Sequence, residues 1–339
     1  MINAALDIIE FLKSNFAFLF SLALYTVLSV ALARSIKKNY KVYYWIFGVI
    51  SFCFIIPSVC RLIGVTLPFN FGSLPIIGLS SSELSSAANF IHPLLVIIMY
   101  MGALSAKNRY VGRLMSIRKE LSIIVGFPVL AHAVKRLFGS FPGGWQFFFD
   151  NETYMQSPRV SSALGSGVTS FAFVLGLVMT ILFLVLWITS FDSVHRKLGT
   201  KRWKSVQRWS YGLYAMLFLH SLCLQVGGLI SDGAREAQNA SKPQTEMVES
   251  AHAPQVHAPQ AHGQSTHAAT TPSGTTAQGQ PQASHGHGRP RSFAFADLEI
   301  SRSTKRWINI FALLAIYGSY LYLRVRKARR SGKSAISSR

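Results

Sequence analysis

Seven stretches of the chain stay apolar for about twenty residues each, the length that spans a hydrocarbon core of ~30 Å as a helix rising 1.5 Å per residue. Short polar or basic segments separate them. The pattern predicts an all-α integral membrane protein with crossings near 15–34, 42–63, 88–106, 119–137, 168–190, 209–229 and 306–324. The fourth carries Pro128 and His132, and its neighbours must satisfy the backbone carbonyl that the proline leaves unpaired. The first apolar run lacks a preceding basic stretch and a small-residue cleavage site, so it reads as a retained helix.

The connecting segments set an orientation. Basic clusters follow the first helix (Arg34, Lys37, Lys38, Lys41), the third (Lys107, Arg109, Arg113, Arg118, Lys119), the fifth (Arg196, Lys197, Lys201, Arg202, Lys204, Arg208) and the last. With seven crossings all four fall on one side, which is the cytoplasmic side of a plasma (inner) membrane, and the N-terminus lies outside. The outer segments then include 64–87, an aromatic stretch within 138–167, and about 230–305. An Asn-Glu-Thr sequon at 151–153 lies in the second of these.

Composition agrees: half of the 339 residues are hydrophobic, mean hydropathy is +0.31, and the chain carries 24 Phe and 12 Tyr. The net charge of +21 would suit a nucleic-acid binder, but its position at helix ends points to anionic lipid headgroups instead. No nucleic acid is expected as a partner. Cys53, Cys60 and Cys223 all fall in the apolar runs without a CxxC pair and read as small buried thiols. No glycine-rich nucleotide fingerprint stands between a strand and a helix, and no hydrolytic constellation is present.

The segment from about 236 to 290 is rich in Ala, Gln, Ser, Pro, Gly and His, so it reads as a disordered outer loop. His252, His257, His262 and His267 recur every five residues within it, with His285 and His287 beyond. Flexible imidazoles can gather Zn, Cu or Ni; the same regularity suits an inert repetitive linker.

The other histidines are His92, His132, His195 and His220. An imidazole in lipid must be hydrogen-bonded, protonated or metal-bound. His132 and His220 stand at similar depth in separate helices, as a shared haem requires; interhelical hydrogen bonding is the other reading. Lys135 and Arg136 follow His132 at i+3 and i+4, positioned for haem propionates or as interfacial anchors. His92 is placed to cap the third helix, line an acceptor site or meet a propionate. His195 reads as an interfacial base, with a partner's cofactor or a displaced haem as the sharper reading. Trp209, Tyr211 and Tyr214 suit an interface belt or a shortened path from an inner donor.

Two runs carry a resemblance. RLMSIRKELSIIVGFPVLAH, with His132 fourteen residues after Arg118, resembles a signature helix of the ferric-reductase-like transmembrane domain. That family includes the haem-binding membrane subunit of the bacterial periplasmic methionine sulfoxide reductase system. SFDSVHRKLGTKRWKSVQRWSYGLYAMLFLH resembles the family's cytoplasmic loop and the following helix, which normally bears two histidines thirteen residues apart. His220 matches the outer one, while Gln207 stands where the inner one is expected, about 20 Å away along a helix. Glutamine is a poor iron ligand.

The resemblance covers roughly 88–230. It implies a haem-binding core there, flanked by two helices and an outer loop over 1–87, the His-rich loop over 231–305, and a last helix with a basic tail over 306–339. It further implies one haem b on His132 and His220, and flavin supplied by a partner or bound at the inner side. Electrons would come from a cytoplasmic flavoprotein or quinol and reach an extracytoplasmic metal ion or protein. The competing reading is a scaffold or metal-binding accessory subunit that keeps the fold without redox activity.

Overall fold

The computed structural model describes residues 12, 15–66, 90–105, 107–139, 143–157, 160–241 and 300–337. Every regular element among them is helical. They are α1 (Ala17–Ala31), α2 (Ala33–Lys38), α3 (Tyr40–Leu62), α4 (His92–Ala103), α5 (Arg109–Ser116), α6 (Arg118–Val134), α7 (Gly143–Phe149), α8 (Asn151–Met155), α9 (Ala163–Ile188), α10 (Asp192–Gln207), α11 (Ser210–Ala240) and α12 (Arg302–Ser337).

Five of these are long and apolar enough to cross a membrane: 40–60 in α3, 118–138 through α6, all of α9, all of α11, and 302–329 in α12. The remaining two expected crossings are apolar but shorter, at Ala17–Ala31 and His92–Ala103. α1 stops where Leu32 leaves helical geometry and α2 stops at Asn39, so α2 stands apart as a short helix. α4 begins with Pro93 in its first turn, where the missing N–H costs nothing.

Helices α6, α9, α11, α12 and α4 pack in a closed ring, each on the next and α4 back on α6. α1 lies outside against α4, and α3 lies outside against α6. α4 is buried almost all round, from His92 and Leu94 to Met101 and Ala103, and forms the centre of the core. A helix apolar on every face belongs in such a place. Trp45, Val27, Ile181 and Phe311, on other helices, are exposed, as lipid-facing side chains are.

Close approach of α9 and α11 depends on small residues. An added Cβ at Gly227 would lie 2.8 Å from the Gly165 carbonyl oxygen, and one at Gly165 would lie 2.8 Å from the Gly227 oxygen. Backbones this close gain dispersion that lipid tails cannot outcompete. α12 is tied across at both ends. Arg306 pairs with Asp232 of α11 at 2.5 Å, over a glycine, Gly228, that leaves room for the guanidinium. Further along, Arg324 and Lys327 donate to the Gly102 carbonyl, one of the unpaired acceptors closing α4.

Two features depart from expectation. α11 runs eleven residues beyond the expected end at 229, to Ala240, so 231–240 is helix rather than loop. The basic segment after the fifth crossing is also helical, as α10, interrupted where Gly199 takes φ 71. Only a residue without Cβ enters that left-handed conformation at low cost.

Candidate functional site

His220 lies in the first half of α11, against Ala172 and Gly176 of α9. Its Nδ1 stands 2.7 Å from the Ala172 carbonyl oxygen. A carbonyl only accepts, so this nitrogen carries the proton, and in a neutral ring the lone pair would then lie at Nε2. The ring fits there because Gly176 has no side chain: a Cβ would lie 3.3 Å from His220 Cε1. A backbone bond that sets tautomer and ring orientation is the arrangement found behind metal-bound imidazoles. It also serves any buried histidine that must satisfy one nitrogen.

His92 has a different place from the helix cap among its expected roles. No side chain caps α4. The His92 ring is buried within the helical ring, with Nε2 3.0 Å from the Tyr317 hydroxyl of α12 and Nδ1 3.5 Å from Ser221 Oγ of α11. Phe18 of α1 covers it at 4.8 Å between centroids, and Phe218 packs on Tyr317 at 5.0 Å. The cap reading fails because the side chain at the start of a central helix has neighbours on three sides to bond. Tyr317 and Ser221 complete this polar group. Neither carries a sequence signal, since tyrosine and serine are common in apolar helices.

His132 occupies the last turn of α6, partly buried, and Lys135 and Arg136 follow it in a single π-helical turn, Lys135–Gly139. The wider turn shifts the register on which the i+3 and i+4 reading relied. Lys135 and Arg136 are exposed, and Arg136 is close enough to bear electrostatically on His220. The helices that carry His132 and His220, α6 and α11, each pack against α9.

The inner position is built differently. Gln207 Nε2 donates to the Leu186 carbonyl at 3.2 Å and to Thr189 Oγ1 at 2.9 Å, and Trp203 Nε1 donates to the Thr189 carbonyl at 2.8 Å. Both side chains satisfy the carbonyl end of α9. Trp187 fills the space between α9 and α6, bonded to the Ile123 carbonyl at 3.1 Å and pressed on Gly126. His195 packs on Trp203 with ring centroids 4.4 Å apart, the rings tilted by 31°. Trp209 and Tyr211 are exposed, whereas Tyr214 is buried.

Among the described residues no three His, Cys, Asp or Glu side chains come together as a metal-holding group. His252, His257, His262, His267, His285 and His287, and the loop that carries them, lie outside the described residues.

No family model matches the chain, and no solved structure matches it. An uncharacterized protein of Treponema pallidum (strain Nichols) is 29% identical over 204 residues. The match takes in 60% of this chain and 49% of that protein, so the chain spans about half the length of its relative. The described helices themselves make this an all-α protein with several helices long and apolar enough to cross a membrane.

Proposed function

We propose that this chain is a multi-pass membrane scaffold or accessory subunit that keeps a ferric-reductase-like helical core without redox activity. The observation that carries this reading is the closure of the helical ring by direct side-chain contact. His92, Tyr317 and Ser221 join α4, α12 and α11 through their own hydrogen bonds. The inner position is likewise committed to holding α9, through Gln207 and Trp203. The basic inner helix ends suit a plasma membrane, with the N-terminus outside and the C-terminus cytoplasmic.

A redox reading stands second, favoured by the His220 tautomer and the nearby Arg136. On it, His132 and His220 would hold one haem b, with Lys135 and Arg136 facing its propionates. Bound there, the haem would supply one-electron chemistry between a cytoplasmic flavoprotein or quinol and an outer metal ion or partner protein. The chain's own part would be to fix both imidazoles and keep the site dry.

Oxidised and dithionite-reduced spectra of detergent-purified protein from haem-replete cells separate the two readings. The scaffold reading expects no haem in wild type. One low-spin b-type signal per chain, lost in both His132→Ala and His220→Ala, would overturn it in favour of the redox reading.

A further inference from the structure

We propose that Arg118, Arg324 and Lys327 form a headgroup site for one anionic phospholipid at the carbonyl end of α4. All three cations gather at Gly102, in the last turn of that helix. Arg324 Nη1 and Lys327 Nζ each donate to the Gly102 carbonyl oxygen at 3.0 Å. Arg118 arrives from α6, its Nη2 3.8 Å from where a Gly102 Cβ would be. Arg324 also donates to the Tyr211 hydroxyl of α11 and lies over that ring at 4.9 Å.

Arg118 is the residue that asks for a ligand. Its guanidinium is half-buried, yet it makes no hydrogen bond or ion pair with any described residue. A fork of five N–H donors is thereby left over, and its geometry matches a phosphate. These nitrogens are not sealed in, unlike the Tyr44 hydroxyl and Glu120 Oε2, so an incoming group can reach them. Nor is the local charge balanced. The carbonyl end of a helix offers only a fraction of one negative charge, here to three cations. The described carboxylates at this end of the bundle, Glu120 and Asp192, are already paired with Lys37 and Lys119.

The depth of the cluster selects the kind of anion. Arg118 stands just before the apolar run of α6 and Arg324 just after that of α12. Basic pockets between helices at that boundary take lipid headgroups. Leu321, one turn before Arg324, is 63% exposed and offers acyl chains an apolar surface on the membrane side. The general attraction of basic helix ends for lipid needs no such convergence, and the exposed Arg326 represents it. Neither haem nor an electron carrier enters this binding, so it goes beyond both readings of the function.

The test uses the full chain, delipidated in detergent, with native mass spectrometry counting retained phosphatidylglycerol or phosphatidylcholine. One phosphatidylglycerol per chain is expected to bind about tenfold more tightly than phosphatidylcholine, the scale of one charge-assisted hydrogen bond. Arg118→Gln removes that preference, Arg118→Lys keeps part of it, and Arg326→Gln leaves it unchanged. Phosphatidylglycerol should also raise the thermal midpoint of wild type but not of Arg118→Gln, whose own fold loses no hydrogen bond. Equal affinity for the two lipids, or equal losses in Arg118→Gln and Arg326→Gln, would overturn the proposal in favour of general attraction. Displacement of the lipid by an equal concentration of inorganic phosphate would overturn it too, making a free anion the occupant.

Discussion

At the scale of single residues, the contact between α6 and α9 depends on one fit. Trp187 lies where a side chain at position 126 would be, with its Nε1 1.7 Å from the site of an added Cβ, while bonding the Ile123 carbonyl. Phe127 and Phe191 meet the indole edge-on at 5.3 Å and 5.2 Å. Gly126→Ala should therefore cost about 1–3 kcal/mol through overpacking. Combining it with Trp187→Phe should recover part of that loss, because the smaller ring leaves room. Thermal unfolding of the four proteins in detergent gives the coupling, and simple additivity would show that the two sites are independent.

Gln207 belongs to the same scale. From the spacing alone it is a missing ligand; in the fold it is a donor to two acceptors at the end of α9. A histidine there would have a shorter reach and a different donor geometry. The residue type was legible, but its partners were not, because they come from a helix turn more than fifteen residues earlier in the chain.

At the scale of elements, the α9–α11 crossing carries the closest contact between two apolar helices. Thr169 and Gly165 face Gly227, with Thr169 Oγ1 2.5 Å from where its Cβ would be. A hydroxyl can rotate away, whereas the Gly165 carbonyl at 2.8 Å cannot. Gly227→Ala should separate the helices and lower stability by about 1–3 kcal/mol, while Gly212→Ala, with nothing within 4 Å of its Cβ, should change little. Equal thermal midpoints for the two variants would count against the crossing as a determinant of the fold.

Element positions were largely readable from hydropathy, since α3, α6, α9 and α11 begin within about five residues of expectation, close to the usual boundary error. Their partners were not. α4 is apolar on nearly every face, yet that uniformity fits a lipid-bathed span as well as a central core helix. Only packing on α1, α6 and α12 distinguishes the two.

At the scale of the whole molecule, ion pairs join the ends of neighbouring helices. Lys37 reaches Glu120, tying α2 to α6, and Lys119 meets Asp192 at 2.9 Å, tying α6 to α10. The hydrogen bond from Lys119 holds the Asp192 carboxyl below its usual carboxylate range. A group whose folded pKa is depressed contributes stability above its unfolded pKa and loses it as pH falls through the folded one. Acid unfolding should therefore begin at slightly higher pH in Asp192→Asn, with the difference disappearing below the carboxylate range. Both side chains are exposed, so the effect should be small and fade in high salt. Unfolding midpoints between pH 3 and 6 at two ionic strengths, roughly bracketing the carboxylate range, check it.

The one-dimensional pattern was sufficient for the helical class and the approximate positions of the long apolar helices, because burial in lipid acts on each segment separately. It also singled out His132 and His220, since an imidazole within an apolar run is costly wherever the chain goes. Tertiary structure alone decided that His92 bonds Tyr317, that Gln207 closes α9, and that Glu120 pairs with Lys37. Each of these depends on which helix lies against which. Among helices equally apolar, that choice is made by shape and by a few hydrogen bonds between residues far apart in the chain.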